Sequence, residues 1–292
     1  MKPSPFKYHD PSSLSEAIGL LGSLENAKLL AGGQSLGPML NYRYVMPDHL
    51  VDLNKIPGIS GIETKGRSVR IGAMARQRVL ERDPGLQKTC PIVREALLEV
   101  GHFQTRNRGT IGGSLAHLDP AAELPGVMAL YDATLELAGP RGKRTVPMAE
   151  WGRGYMSPNL EPDEILTGLA WEAWEGVQGH AFVEFARRRG DFAIVAVGCL
   201  LALDSKQAIR RAAISMVGIA YAPVRLAFAE KLLTGTKAGE DAIEAAAAEA
   251  RKIEAKSDLF ASGAYRQRLA GVLTARAVKT AYQRALEENA AT

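Results

Sequence analysis

The sequence predicts an α+β protein built in two parts, and three observations lead there. Up to about residue 175, strand-like runs alternate with helix-like ones. Between 181 and 219 three β-rich runs follow one another with only tight turns between them. From Val224 onward the chain is helical. A boundary near 175 divides the 292 residues into 1–175 and 178–292. That agrees with a length suggesting about two domains at roughly 150 residues each.

The elements follow in order. Ser13 to Leu21 reads as a helix, with Leu14, Ala17, Ile18 and Leu21 on one face and Pro11-Ser12-Ser13 as its start signal. Ala27 to Leu30 is a short strand that runs into the turn Ala31-Gly32-Gly33-Gln34-Ser35, and Gln34 to Tyr42 reads as a short helix. His49 to Leu53 is a second strand, and Ser60 to Ala73 a hairpin turning at Thr64-Lys65-Gly66-Arg67. Val79 to Gly101 is mostly helical, broken near Asp83-Pro84-Gly85 and Pro91. A second glycine turn, Thr110-Ile111-Gly112-Gly113-Ser114, precedes a helix over 120–130, with Asp119 as cap and Pro120 in the first turn. Strands at 132–138 and 143–147, a loop over 151–163 and a strand from Ile165 to Trp171 complete the first part.

In the second part, Ala181 to Arg187, Ala193 to Leu203 and Arg210 to Ile219 predict a three-stranded antiparallel sheet. Its turns are Arg189-Gly190-Asp191 and Asp204-Ser205-Lys206. Helices over 224–233, 239–256 and 262–287 follow, the alanine run 245–248 favouring the second.

Composition excludes several functions. A net charge of +4 tolerates an anionic ligand but does not demand one, and Arg187-Arg188-Arg189 is too short a basic run to argue for nucleic acid. Cys90 and Cys199 are the only cysteines, so the chain holds neither a four-thiolate iron–sulfur cluster nor a four-cysteine zinc site. The five histidines lack metal-ligand spacing, and no metal-binding residue is assigned. No apolar run reaches the roughly 18 residues of a membrane span, and the N-terminus has no signal core, so a cytoplasmic location is expected.

The two glycine turns carry the chemistry. Paired glycines adopt backbone dihedrals closed to other residues and let main chain approach a ligand closely. Successive amides at such a turn form a concavity for anions. A turn of this kind also serves simply to join a strand to a helix. Neither turn is a Walker loop or a G-x-G-x-x-G fingerprint, so a P-loop nucleotidase and a Rossmann site are disfavoured. Together the two could hold a diphosphate. His117 flanks the second turn within reach of a ligand there. Ser35 and Ser114 lack the context of a nucleophile.

Ala31-Gly32-Gly33-Gln34-Ser35-Leu36-Gly37-Pro38-Met39 and Arg108-Gly109-Thr110-Ile111-Gly112-Gly113-Ser114, the latter with Asp119-Pro120-Ala121-Ala122-Glu123-Leu124-Pro125, resemble the two FAD motifs of one family. It is the flavin-binding medium subunit of molybdenum hydroxylases, which includes carbon monoxide dehydrogenase and bacterial xanthine dehydrogenase. Val51-Asp52-Leu53, Ile71-Gly72-Ala73, Arg189-Gly190-Asp191-Phe192-Ala193 and Tyr265-Arg266-Gln267-Arg268-Leu269 also fit, so the resemblance spans nearly the whole chain.

The resemblance implies a vanillyl-alcohol-oxidase-type FAD domain of two α/β lobes. In it, 31–35 and 110–114 grip the FAD diphosphate. Glu123 would bond the ribityl or neighbouring hydroxyls, its alternative being a solvated helix-start carboxylate. Asp119 is either a contact or a helix cap. Ile165 and Leu166 would lie beside the flavin ring, or be plain core. Phe192 would stand near the isoalloxazine where some relatives carry tyrosine, or be core. No residue is assigned as catalytic, because flavin electron exchange with a cluster needs no acid–base pair.

The resemblance further implies a large molybdopterin subunit and a small iron–sulfur subunit as partners, in a dimer of heterotrimers, with FAD passing electrons to an external acceptor. Two rivals are a stand-alone flavin oxidase or reductase of the same fold, and a non-enzymatic nucleotide-binding or assembly subunit.

Overall fold

The computed structural model describes residues 1–291. The chain opens with β1 (Lys7–His9), α1 (Leu14–Ser23), β2 (Ala27–Leu30), α2 (Leu36–Asn41) and β3 (His49–Asp52). The strands form a parallel sheet in the order β1-β3-β2. The edge strand β1 has no counterpart in the sequence reading. Ser13 starts α1 by accepting the Glu16 amide, while Glu16 returns a carboxylate to the Ser12 amide. Ala17 is buried with Val51, Leu53, Met74 and Ile165, which ties this layer to the next.

The middle of the chain comprises β4 (Ile62–Lys65), β5 (Ser68–Gly72), α3 (Gln77–Arg82), α4 (Pro84–Thr89), α5 (Pro91–Glu99), α6 (Phe103–Arg108), α7 (Ile111–His117), α8 (Glu123–Leu130), β6 (Thr134–Gly139), β7 (Gly142–Pro147), β8 (Gly152–Gly154), β9 (Ser157–Pro158) and β10 (Ile165–Glu172). An antiparallel sheet runs in the order β4-β5-β10-β6-β7. Pro84 and Pro91 stand at the first helical positions of α4 and α5, where a missing N–H costs nothing, so they divide the helical stretch without breaking its core face.

Two expectations change here. The second glycine turn is itself helical, forming the start of α7. Asp119 and Pro120 do not begin α8, whose N-cap is Ala122; the Asp119 carboxylate accepts the Ala121 amide in a turn ahead of the helix (2.8 Å).

The last part holds β11 (Gln178–Phe185), β12 (Val195–Leu203), β13 (Ile209–Val217), β14 (Val224–Arg225), α9 (Ala227–Leu233), α10 (Glu240–Arg251) and α11 (Gly263–Ala291). The sheet has four antiparallel strands, not the three expected. Val224 and Arg225, read from sequence as the start of a helix, pair with Met216 and Ser215. Arg225 is held extended by the Ala129 carbonyl, Asp132 and Glu230, tertiary partners that no local pattern reports.

β12 is buried at every position, and its side chains alternate. Val195, Val197, Cys199 and Leu201 face α10 and α11, whereas Leu200 and Ala202 join the core around α8. One face of the second part therefore packs on the first part, and the cavity described next lies along that junction.

Candidate functional site

A cavity of about 890 Å³ is lined by both glycine turns, by α7 and the start of α8, by β10, and by the loop between β11 and β12. That is near the upper end of the roughly 300–1,000 Å³ typical of ligand sites, room for an extended ligand.

Its geometry begins with contact between the two turns. A Cβ on Gly32 would overlap the Arg108 carbonyl and lie 2.8 Å from the Gly109 Cα. Gly113 faces Ala31, whose Cβ would be 3.6 Å from a Cβ placed there. Gly33 adopts a positive φ of 71°, which reverses the chain. Glycine at these positions lets two segments about 80 residues apart in sequence share one wall.

The turns contribute different chemistry. The amides of Gly32, Gly33, Gln34 and Ser35 donate to no acceptor among the described residues, although all four residues line the cavity. This is the open N–H cradle expected of an anion site. In the second turn only the Thr110 amide lacks an acceptor among the described residues. Ile111 donates to the Ala75 carbonyl (3.1 Å), Gly112 to Ala73 (2.8 Å), Gly113 to the Thr110 hydroxyl (3.0 Å) and Ser114 to the Thr110 carbonyl (3.2 Å). It offers a bare glycine surface and the Ser114 side chain instead. The expectation of two equivalent amide cradles is thus corrected: Ala73 and Ala75, just beyond β5, take two of the second turn's amides, and Thr110 takes two more.

The structure brings Ala31, Gly32, Gly33, Gln34, Ser35, Thr110, Gly112, Gly113, Ser114, His117, Asp119, Glu123, Ile165, Leu166 and Phe192 to the cavity. It does not bring Ile111, which is fully buried with Leu115 and Leu118 in the core behind. Glu123 is only 7% exposed, so the solvated alternative fails; burial, with Asp119 and Glu99 nearby, pushes its carboxyl up to about 7. Burial keeps His117 below the ordinary histidine range. Ile165 and Leu166 are both buried, each in a different core cluster, so β10 spans the layers where they meet. Phe192 is 72% exposed at the mouth and is not core.

Three further residues matter that the sequence did not single out. Asn54 donates to the Ala31 carbonyl (2.9 Å), and the Arg76 guanidinium bonds both Asn54 Oδ1 and the Arg108 carbonyl. Together they strut one turn to the other. Gln77 lines the cavity, is 5% exposed, and its Oε1 has no partner among the described residues. Only proximity in the fold marks these side chains, and no motif signals them.

An open amide cradle, a glycine wall and a long cavity fit an extended anionic ligand. The comparisons specify it. Residues 4–170 match the FAD binding domain in molybdopterin dehydrogenase, and residues 180–281 the CO dehydrogenase flavoprotein C-terminal domain. The carbon monoxide dehydrogenase medium chain of Hydrogenophaga pseudoflava is 36% identical over 97% of this chain and 99% of its own. The 6-hydroxypseudooxynicotine dehydrogenase complex subunit alpha of Paenarthrobacter nicotinovorans is 35% identical over 98% and 97%. A chain of quinoline 2-oxidoreductase from Pseudomonas putida 86 superposes with a TM-score of 0.93 at 34% identity, covering 98% of this chain and 100% of that one. The chain belongs to the family of FAD-binding medium subunits of molybdenum hydroxylases, and is an oxidoreductase subunit of a multi-subunit enzyme. In this family the molybdenum–pterin and iron–sulfur groups lie on partner subunits.

Proposed function

We propose that this chain binds FAD in the cavity and relays electrons from the iron–sulfur clusters of a small partner subunit to an external acceptor. The observation that carries the reading is the row of four unpartnered amides at 32–35 facing a wall built by the second turn. The amides of Gly32 to Ser35 hold the diphosphate, and Gly112, Gly113 and Ser114 let it approach from the other side, with Ala31 and Thr110 framing them. Ile111 supports that wall from the core. Glu123 and Gln77 meet polar groups of the ribityl segment, and Asp119 and His117 border it. Ile165 and Leu166 give the ring an apolar seat, and Phe192 covers its open side. Bound FAD supplies a carrier that accepts two electrons and can release them. These residues bind, orient and shield it, in a domain of the two-lobed vanillyl-alcohol-oxidase type divided from the second part near residue 175.

The partners on this reading are a large molybdopterin subunit and a small iron–sulfur subunit, assembled as a dimer of heterotrimers. Cys90 and Cys199 are both buried and free, which suits a cytoplasmic chain that carries no cluster itself. No helix among the described residues is long and apolar enough to cross a membrane. The relatives' complexes are named for different substrates, so substrate choice is placed on the large subunit.

The test is purification of the complex through this chain. The expected result is a flavin spectrum bleached by substrate only when both partners are present. Full turnover by the isolated chain would favour the stand-alone flavin enzyme. A preparation that stays colourless with added FAD would favour the non-enzymatic rival.

A further inference from the structure

Glu184 lies on β11 opposite Ala196, on the face of the sheet turned toward the first part. Ala196 packs in one apolar cluster with Ala121, two residues before Glu123. Glu184 Oε2 is buried and has no hydrogen-bond partner among the described residues. Glu123, in the cavity wall, receives only its own backbone amide. The two carboxyls come from different parts of the chain: Glu123 lines the cavity, Glu184 does not, and the Glu123 charge acts on Glu184 through space. No cation among the described residues pairs with either carboxyl. The ionisable neighbours acting on them are carboxylates: Glu99 at the end of α5 for both, and Asp119 ahead of α8 for Glu123. His117 on α7 is held toward its neutral form by burial. β12 and β13 present Ala196 and Val217 there.

We propose that Glu184 is a positioning residue for the cofactor: with Glu123 it holds a proton in the cavity wall, and FAD binds tightly only while that proton stays. This rests on the FAD reading above. The physical reason is charge. Two buried anions beside each other are costly, and the cofactor's diphosphate adds negative charge to the same cavity. A neutral carboxyl removes that repulsion and can donate to a ligand oxygen, as acids kept neutral by apolar sites do elsewhere. Burial and neighbouring carboxylates push Glu184 up to about 9, so near neutral pH it keeps its proton. Bound FAD raises that affinity for the proton further, so cofactor affinity falls as pH rises through the free-state value.

The test measures the FAD dissociation constant of the apo-protein by flavin fluorescence from pH 7.5 to 9.5, for the wild type and Glu184→Gln. One coupled proton changes affinity by up to about tenfold per pH unit. The expected result is a wild-type constant that rises about fourfold across the range, the limit for one proton with a free-state value of about 9, and a variant that changes less than about 1.5-fold. Calorimetry at pH 8.5 in two buffers of different ionisation enthalpy should show proton uptake on FAD binding by the wild type and none by the variant. Matching circular dichroism of the two proteins establishes that both are folded. A flat wild-type profile overturns the proposal, as does the same slope and proton uptake in the variant. Failure of the wild type to bind FAD at pH 7.5 overturns the proposed function, and this proposal with it. Binding that ignores pH overturns this proposal alone.

Discussion

Replacing Gly32 by alanine isolates the contact that makes two turns one site. The added methyl would overlap the Arg108 carbonyl and sit 2.8 Å from the Gly109 Cα, both backbone atoms that cannot rotate away. Relief requires the first turn to move outward by about an ångström, and the Asn54–Arg76 strut resists that movement. Overpacking of this kind costs about 1–3 kcal/mol. If the strain falls on the site, the FAD dissociation constant rises by about 5- to 150-fold. Gly37 is the control. It lies in the same motif, on α2, and a Cβ there meets nothing within 4 Å. Alanine at 37 should be neutral or stabilising, since helical glycine is about 0.5–1 kcal/mol worse than alanine. Fluorescence titration with FAD and thermal melts of the apo-proteins read both effects. Wild-type affinity in Gly32→Ala, or equal damage in Gly37→Ala, would refute the claim that backbone approach between the turns sets the site.

Arg76→Ala should weaken FAD binding by about tenfold, because it releases the Arg108 carbonyl and Asn54 together; titration of the folded variant checks this. Arg266 is 2% exposed and donates to the Ile194 and Gly218 carbonyls and to Asp258. Arg266→Met should therefore cost about 2–4 kcal/mol in denaturant unfolding, by leaving buried acceptors unpaired. Phe192→Ala should leave stability within about 0.5 kcal/mol, since the ring is exposed, yet change how fast small oxidants reach the reduced flavin in stopped-flow mixing.

The pH dependence of apo stability has a definite sign. Glu123 and Glu184 have folded-state values raised to about 7 and about 9. The folded state therefore binds more protons than the unfolded state above the ordinary glutamate range, and these groups make stability fall as pH rises from about 4.5 toward 9. Glu184→Gln should flatten the upper part of that fall in melts between pH 7 and 9. An unchanged slope would show that Glu184 does not carry it.

Much of the chain was legible because local rules and tertiary demands agree. Ser13 marks a helix start and Pro84 and Pro91 mark breaks in a helical stretch by local chemistry, and the structure puts helix boundaries at all three. The long strand at 195–203 announces itself by continuous apolar character, because β12 is covered on both faces. The glycine pairs at 32–33 and 112–113 stood out because glycine twice in succession is unfavourable unless the backbone requires it. Where the two kinds of demand diverge, the sequence misleads. Val224-Arg225 resembles the start of a helix, but pairing with β13 and three partners for Arg225 hold it extended.

The sequence by itself determined the two-part α+β plan, the two glycine motifs and, through their order and context, the family. Only the tertiary structure decided which glycines meet protein backbone, which amides stay open, and that Asn54, Arg76 and Gln77 belong beside the motifs. The physical reason is range. Helix caps, turns and periodicity depend on residues a few positions apart. An unpartnered amide or an uncompensated carboxyl is defined by everything that does or does not reach it in space. The two turns read as matching cradles in the sequence. In the fold one keeps a row of four amides open, while the other gives those of Ile111 and Gly112 to Ala75 and Ala73 and those of Gly113 and Ser114 to Thr110, so the site is asymmetric where the motifs are alike.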